Sequence, residues 1–172
     1  PHALVQRCRW HKSQNVAAYL DESQQTIFKR RLKEAYSKTT YREARADLEK
    51  LCHELKNINV SAANSLEEGL EETLTIHRLG LSAELSRSLG TTNCIESLMS
   101  QMGAYTDKVD RWHNSDQILR WTSTGLMDIE PRLRKFRGYR YLNVLKLKLR
   151  EIVAARSKKK TTAAVPELVE VN

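Results

Sequence analysis

The segment Leu89–Met99, LGTTNCIESLM, gives the strongest structural signal in the chain. Gly90 interrupts the preceding segment, and the next three residues, TTN, are types whose side-chain oxygens accept hydrogen bonds from free backbone N–H groups. Apolar side chains then recur at helical spacing, at Ile95, Leu98, Met99 and Met102. The segment therefore predicts an amphipathic helix that begins just after the cap, with Glu96 in its first turn.

The position of Glu96 has a simple interpretation from local sequence alone. The positive end of a helix dipole attracts a carboxylate, and a first-turn Glu is common on any helix. On this interpretation Glu96 is only a partner of its own helix.

A larger pattern surrounds the helix start. Residues 91–98, TTNCIESL, are followed by Lys108-Val109-x-Arg111-Trp112, and together they resemble the signature around the third catalytic acid of bacterial Mutator-type insertion-sequence transposases of the DDE class. The resemblance implies a ribonuclease-H-like core in which two Asp and one Glu bind divalent metal ions. In that family the Glu lies on a helix that follows an all-helical insertion.

This resemblance has direct consequences for the site. It implies that Glu96 is the third catalytic and metal-binding acid, with Thr92 and Asn93 as supporting residues. The cofactor would be Mg²⁺, as two ions in the full-length protein, because that ion prefers carboxylate and water oxygens. The family's two Asp would lie upstream of Pro1. We therefore expect this chain to be the C-terminal part of a transposase, inactive alone.

The first residues contain a second landmark of the same family. Residues 3–8, ALVQRC, lean toward β structure, and in the family this position is the last strand of the core sheet. A Cys-or-Asp, two residues and a His follow it, which Cys8-Arg9-Trp10-His11 matches. The resemblance implies that Cys8 and His11 support the active site. The alternative is that Cys8 packs in the core and His11 opens the next helix.

The predicted fold class is mainly α, with a helical insertion subdomain and the C-terminal remnant of a ribonuclease-H-like core. That remnant comprises one short strand and the Glu-bearing helix. The predicted parts are residues 1–11 with the last core strand, residues 12–80 as the helical insertion, residues 81–156 as the C-terminal core with basic helices, and residues 157–172 as a disordered tail.

Several helices are predicted in detail. Thr40 and Glu43 form a capping box at the start of one of them. Another helix starts at Ser61 or Asn64. The side chains predicted to face inward include Ile27, Phe28, Leu32, Ala35 and Tyr36 in a helix over 24–37, Leu66, Leu70, Leu74 and Ile76 after residue 61, and Leu142, Leu145, Leu149 and Ile152 near the end.

Basic residues with interleaved aromatics predict a nucleic-acid surface. Arg111 and Trp112 suit contact with the backbone and bases of a DNA end. The predicted DNA-binding residues are Lys108, Arg111, Trp112, Arg132, Arg134, Lys135, Arg137 and Arg140. The alternatives are an exposed cationic helix end for the later group and a core cover for Trp112.

The overall composition agrees with a DNA partner. The formal net charge is +8 and the sequence pI is about 9.5, which favours a polyanion. Three scattered cysteines are too few for a disulfide framework and fit a reducing cytosol. No apolar run approaches the ~20 residues that span a membrane. We expect a bacterial cytoplasmic protein, nucleoid-associated when bound to DNA and homo-oligomeric at full length.

Two other classes of protein fit the same features. One is a non-enzymatic basic helical module that binds nucleic acid. The other is a helical protein-interaction domain. Neither predicts terminal inverted repeats that flank the encoding DNA.

Overall fold

The protein is almost entirely helical. A computed structural model describes residues 3–162, with only the backbone given for residues 157–162. The helices are α1 (Arg9–Ala17), α2 (Glu22–Tyr36), α3 (Tyr41–Lys56), α4 (Val60–Glu67), α5 (Leu70–Thr73), α6 (Thr75–Arg78), α7 (Ser82–Leu89), α8 (Asn93–Thr106), α9 (Ser115–Ile129) and α10 (Leu142–Thr162), with 3₁₀ turns at Glu130–Arg132 and Tyr139–Tyr141. The mainly α prediction is confirmed.

The first half of the chain forms one hydrophobic core. Helices α1 to α4 pack against one another around a cluster that runs from Val16 to Leu74. Thr40 and Glu43 form the predicted capping box at the start of α3. Phe28 and Leu32 of α2 are buried as predicted, but Ile27 is 48% exposed, so its inward placement was wrong.

The segment after α3 is divided into three short helices. The side chain of Asn59 caps α4 by accepting from Ala62 N–H, so the helix begins before the predicted Ser61 or Asn64. Gly69 follows and interrupts the helix with a positive φ of 66°. Residues with a side chain rarely adopt this backbone conformation. Leu66, Leu74 and Ile76 are nevertheless buried, while Leu70 is partly buried.

A second, smaller core joins α6 and α7 to the C-terminal helix. Ile76, Leu79, Leu81 and Leu85 form this cluster, and the partly buried side chains packed against it include Phe136, Leu145, Leu149 and Ile152. Lys148 of α10 donates a hydrogen bond to the Leu79 carbonyl. Leu142 is 39% exposed, so its predicted burial was wrong.

Residues 3–8 do not form the predicted strand, and no strand occurs within residues 3–162. Arg7 N–H donates to the Glu72 carbonyl at 3.0 Å, and Thr75 Oγ1 donates to the Val5 carbonyl at 2.6 Å. These bonds, with two more that link the Gln6 side chain to Thr73 and Ile76, tie the segment to α5 and α6. A strand would need a neighbouring strand with which to pair, and the described residues provide none.

Helices α8 and α9 pack mainly against each other. Gly125 of α9 allows a close approach, since a Cβ there would lie 3.0 Å from Cε of Met102 on α8. Met102 is the buried member of the apolar series predicted for α8, whereas Ile95 and Met99 are 55% and 63% exposed. Ile95 and Met99 therefore lie on a part of α8 that the described chain does not cover.

The C-terminal helix is longer than predicted. α10 extends to Thr162, so residues 157–162, predicted as the start of a disordered tail, are helical, and the rest of that tail lies outside the described residues. Across the described helices, no segment combines the length and apolar character required for a membrane span.

Candidate functional site: the start of α8

The start of α8 places Glu96 as the sequence predicts, but with different bonding. Thr92 is the N-cap residue, and its carbonyl accepts from the N–H groups of Ile95 and Glu96 at 2.9 Å. Its side chain makes no capping bond to the backbone. The Thr92 hydroxyl instead donates to Oε1 of Glu96 at 2.5 Å.

The site also includes two residues from the beginning of the chain. Oγ1 of Thr92 also lies 3.4 Å from Sγ of Cys8, a second acceptor for the same hydroxyl proton, and 3.4 Å from Nδ1 of His11. Nε2 of His11 lies 3.6 Å from Oε1 of Glu96. The structure therefore brings together four predicted site residues from two distant parts of the sequence.

The Cys8 thiol has an altered acidity. Partial burial alone would raise its pKa. Hydrogen bonds from the His11 backbone and from the side chain and backbone of Thr92 outweigh burial and lower the pKa of Cys8 from 9.0 to about 7. The contacts with His11 and Thr92 therefore favour the thiolate form of Cys8.

The remaining predicted supporting residue, Asn93, is the first residue of α8 and is exposed. The Glu96 side chain keeps 49% of its surface exposed, so its carboxylate remains accessible. Within the described part of the chain, no group of three or more His, Cys, Asp or Glu side chains is arranged to hold a metal ion.

Sequence reasoning missed a buried cation within the Cys8-x-x-His11 motif. Arg9 is 7% exposed, and its Nε donates to the Thr73 carbonyl at 3.0 Å. Its Nη1 donates to Oγ of Ser86 at 2.9 Å, and its backbone N–H donates to the Gly90 carbonyl at 2.9 Å. A single Arg carries no periodic signal, so only its position inside the motif could have drawn notice.

The third guanidinium nitrogen of Arg9 binds a histidine. Nη2 lies 3.0 Å from Nδ1 of His77, whose Nε2 lies 2.9 Å from the Lys38 carbonyl. Because Arg only donates, Nδ1 accepts and Nε2 carries the proton that binds Lys38. Burial, followed by the Arg9 charge, lowers the pKa of His77. Burial likewise lowers the pKa of Arg9, to about 10, which leaves it charged at neutral pH.

The predicted DNA-binding residues fall in two groups. Lys108, Arg111 and the half-buried Trp112 lie in the loop between α8 and α9. This loop follows the C-terminal end of α8, about 15 Å from Glu96 at 1.5 Å per residue. The second group occupies residues 132–140, called the basic segment below.

The basic segment connects the two ends of α8. At its start, Arg132 donates to the Tyr105 hydroxyl at 2.8 Å and to Asp128 at 2.5 Å. Near its end, the Arg137 carbonyl accepts from the Ser88 hydroxyl at 3.0 Å, on the helix just before α8.

The cations of the basic segment are in different states. Arg132 is paired with Asp128. Lys135 and Arg140 lie 5.1 Å and 5.9 Å from the centre of the Tyr139 ring. Arg134 and Arg137 are exposed, with no acidic partner in the described part of the chain. These two cations are available to bind anions.

Comparison with known proteins identifies a family. The family model described as Transposase, Mutator family, matches residues 1–134, well over half of the chain. No curated protein and no solved structure gives a significant match. The matched region contains all four residues assembled at the start of α8 and ends within the basic segment.

Proposed function

The chain belongs to the Mutator family of transposases, and from that membership we propose that it contributes to metal-dependent DNA strand cleavage and transfer during transposition. In this proposal Glu96 is a metal-binding catalytic acid. Cys8, His11, Thr92 and Asn93 support it, and the basic residues hold transposon-end DNA.

The position of the Glu96 carboxylate is the observation that carries this proposal. A Glu that served only its own helix dipole would need no partner outside the helix start. Glu96 instead lies beside His11, and its Thr92 partner also binds Cys8. The two family landmarks, separated by 80 residues or more, thus meet at one carboxylate that is still accessible.

The donor set limits what this chain can bind by itself. Mg²⁺ takes hard oxygen ligands in octahedral geometry. Glu96 offers such oxygens, but its neighbours are a thiol, an imidazole and a hydroxyl, and the described residues contain no cluster of three metal-binding side chains. These residues do not by themselves fit a pair of Mg²⁺ ions. The full-length protein would have to provide the other carboxylates.

The chain's own residues would then act by holding the acid in place. Thr92 fixes one carboxylate oxygen by a short hydrogen bond, and His11 lies against the same oxygen. A carboxylate with a fixed orientation needs less reorganisation when it binds a metal ion. The second oxygen, Oε2, has no protein partner in the described part of the chain and remains available.

The basic segment would hold DNA close to this acid. It runs between Tyr105 near the end of α8 and Ser88 just before α8, so phosphates bound along it lie beside the helix that carries Glu96. Phosphate contacts position a duplex without reading its sequence. We further propose that the full-length protein acts on DNA in the bacterial cytoplasm, with divalent Mg²⁺ and as a homo-oligomer.

The Glu96→Gln variant of the full-length transposase tests the catalytic assignment. We expect strand transfer to be lost while binding to transposon ends is retained, because the amide preserves shape but not charge. Glu22→Gln is a matched control, since Glu22 is also an exposed first-turn Glu, on α2. If Glu96→Gln retains strand transfer, the catalytic role is wrong and a non-enzymatic DNA-binding module remains.

A further inference from the structure

Arg9 connects the helical first half of the chain to the segment that leads into α8. On one side its guanidinium binds the Thr73 carbonyl and His77 Nδ1, and lies 5.3 Å from the centre of the Tyr36 ring. On the other side it binds Ser86 Oγ, and its backbone N–H binds the Gly90 carbonyl. The Arg9 side chain thus joins Thr73 and His77 to Ser86, and its backbone separately holds Gly90.

The Gly90 backbone passes very close to this guanidinium. A Cβ on Gly90 would lie 2.4 Å from the Ser86 carbonyl oxygen and 3.2 Å from Arg9 Nη1. Only one residue, Thr91, separates Gly90 from Thr92, whose hydroxyl binds Glu96. Any shift of Gly90 would therefore be transmitted to Thr92 over a very short length of backbone.

We propose that Arg9 is a positioning residue for the site at the start of α8. By holding Ser86 and Gly90, it fixes Thr92 and Glu96 against Cys8 and His11, which lie on Arg9's own helix or at its cap. The effect of this role on catalysis rests on the proposed function of Glu96. The positioning of Thr92 and Glu96 by Arg9 does not depend on that function.

The chemistry of the guanidinium explains why the residue is Arg. Its planar fork presents donors in three fixed directions, and here they reach a carbonyl, a hydroxyl and an imidazole nitrogen on three different segments. A Lys ammonium at the same place keeps the charge but is a compact group on a flexible stem. It cannot hold all three acceptors in the same geometry.

Arg9→Lys tests this role in the chain as it stands. The readout is the pH midpoint for alkylation of Cys8 by iodoacetamide, followed at each cysteine by peptide mass spectrometry. Thr92 lowers the Cys8 pKa through hydrogen bonds to the sulfur, so this effect is lost if Thr92 moves away from Cys8. We expect the midpoint to move from about 7 toward 9.0 in Arg9→Lys. An unchanged midpoint in a folded Arg9→Lys protein would overturn the proposal.

Two further variants make the result decisive. Leu48→Ala removes a fully buried side chain from the first core and leaves Arg9 intact, so it controls for lost stability and should leave the midpoint near its original value. If Arg9→Lys does not fold, Ser86→Ala removes only one of its contacts. We expect Ser86→Ala to give a smaller shift in the same direction, and no shift would also overturn the proposal.

This experiment separates the positioning role from the proposed function. The Cys8 midpoint requires neither DNA nor metal, so it can shift even if Glu96→Gln turns out to retain strand transfer. In the full-length transposase, Arg9→Lys should slow strand transfer several-fold with end binding retained. A shift of the midpoint without slower transfer would leave Arg9 as a positioning residue and remove its catalytic meaning.

Discussion

The hydroxyl oxygen of Thr92 lies 2.5 Å from Oε1 of Glu96, one helical turn further along the chain. The same oxygen is 3.4 Å from the Cys8 sulfur. A hydroxyl has a single proton to donate, so the carboxylate and the sulfur share one donor. The acidity of Cys8 therefore reports on the state of the site around Glu96.

Removing the Thr92 hydroxyl should make the Cys8 thiol less acidic. In Thr92→Val the side-chain hydrogen bond that stabilises the thiolate is lost, so we expect the Cys8 pKa to rise above about 7. The measurement is the alkylation midpoint of Cys8. Thr91→Val is the matched control, because Thr91 is the adjacent residue and makes no side-chain bond to Cys8 in the described structure. Equal midpoints in the two variants would contradict the assigned contact.

The sequence was informative at several places where local chemistry controls structure. The Thr40–Glu43 capping box and the burial of Phe28 and Leu32 follow from helix-start chemistry and 3.6-residue periodicity, and both are present. The local sequence pattern did not predict burial where burial depends on contacts with distant parts of the chain. Ile95 and Met99 have helical apolar spacing, yet the described chain supplies no surface to cover them.

The site was only partly accessible to sequence reasoning. The position of Glu96 in the first turn followed from the cap residues, and the match to Cys8-x-x-His11 followed from a short motif. The contact between Thr92 and Cys8 depends on how residues 84 positions apart are packed, which no local pattern encodes. The same holds for Arg9, whose partners lie 64 to 77 positions along the chain.

Acid should destabilise the fold through His77. Burial and the Arg9 charge lower the pKa of His77 from its ordinary 6.5, and the hydrogen bond to the Lys38 carbonyl opposes them only in part. Below pH 6.5 the unfolded chain takes up a proton that the folded chain does not, so the free energy of unfolding falls as the pH decreases.

Urea unfolding between pH 7.5 and 5.0 would measure the effect of His77. In His77→Gln the decrease in stability with acid should be smaller, whatever the stability at neutral pH. His53→Gln is the control, because His53 is exposed on α3. A pH dependence that is the same in His77→Gln as in the unaltered chain would show that His77 is not its source.

Gly138 should be important for stability, because it lets the basic segment pack closely against α7. Its φ is 81°, and a Cβ there would lie 2.2 Å from the Glu84 carbonyl oxygen, a backbone atom that cannot move aside easily. Gly138→Ala is therefore expected to lower the free energy of unfolding by more than about 1 kcal/mol. Urea titration at pH 7.5 would measure this loss.

Gly103→Ala is the control for Gly138→Ala, because an added methyl group at Gly103 should not destabilise the protein. Gly103 lies inside α8, and its Cβ would meet only the exposed carboxylate of Asp107 at 3.1 Å. Ala favours a helix over Gly by about 1 kcal/mol, so this change should be neutral or stabilising. Equal losses for the two variants would rule out the strain assigned to Gly138.

DNA binding should depend on the unpaired cations of the basic segment. Each phosphate contact contributes about −0.9 to the slope of log K against log salt. Arg134→Gln with Arg137→Gln should therefore reduce that slope by up to about 2. Titration of labelled duplex at several salt concentrations would measure it.

Two comparisons control for the loss of charge at the basic segment. Lys29→Gln with Lys33→Gln removes two charges from α2, and we expect little change in the salt slope. Arg132→Gln should also have a small effect on DNA binding, because Arg132 is already paired with Asp128 and Tyr105. If the α2 pair changes the slope as much as the Arg134 and Arg137 pair, the basic segment is not the DNA surface.

Replacement of Glu96 should lower the pKa of Cys8, whereas Thr92→Val should raise it. In Glu96→Gln the negative charge near the thiolate is removed, and an amide accepts the Thr92 proton less strongly than a carboxylate does. Thr92 is then freer to donate to the Cys8 sulfur, which favours the thiolate. We expect the alkylation midpoint to fall below about 7, whereas Glu22→Gln leaves it unchanged. Opposite shifts for Thr92→Val and Glu96→Gln would support a hydroxyl proton that is shared between the sulfur and the carboxylate. If Glu96→Gln leaves the midpoint unchanged, Glu96 does not share that proton.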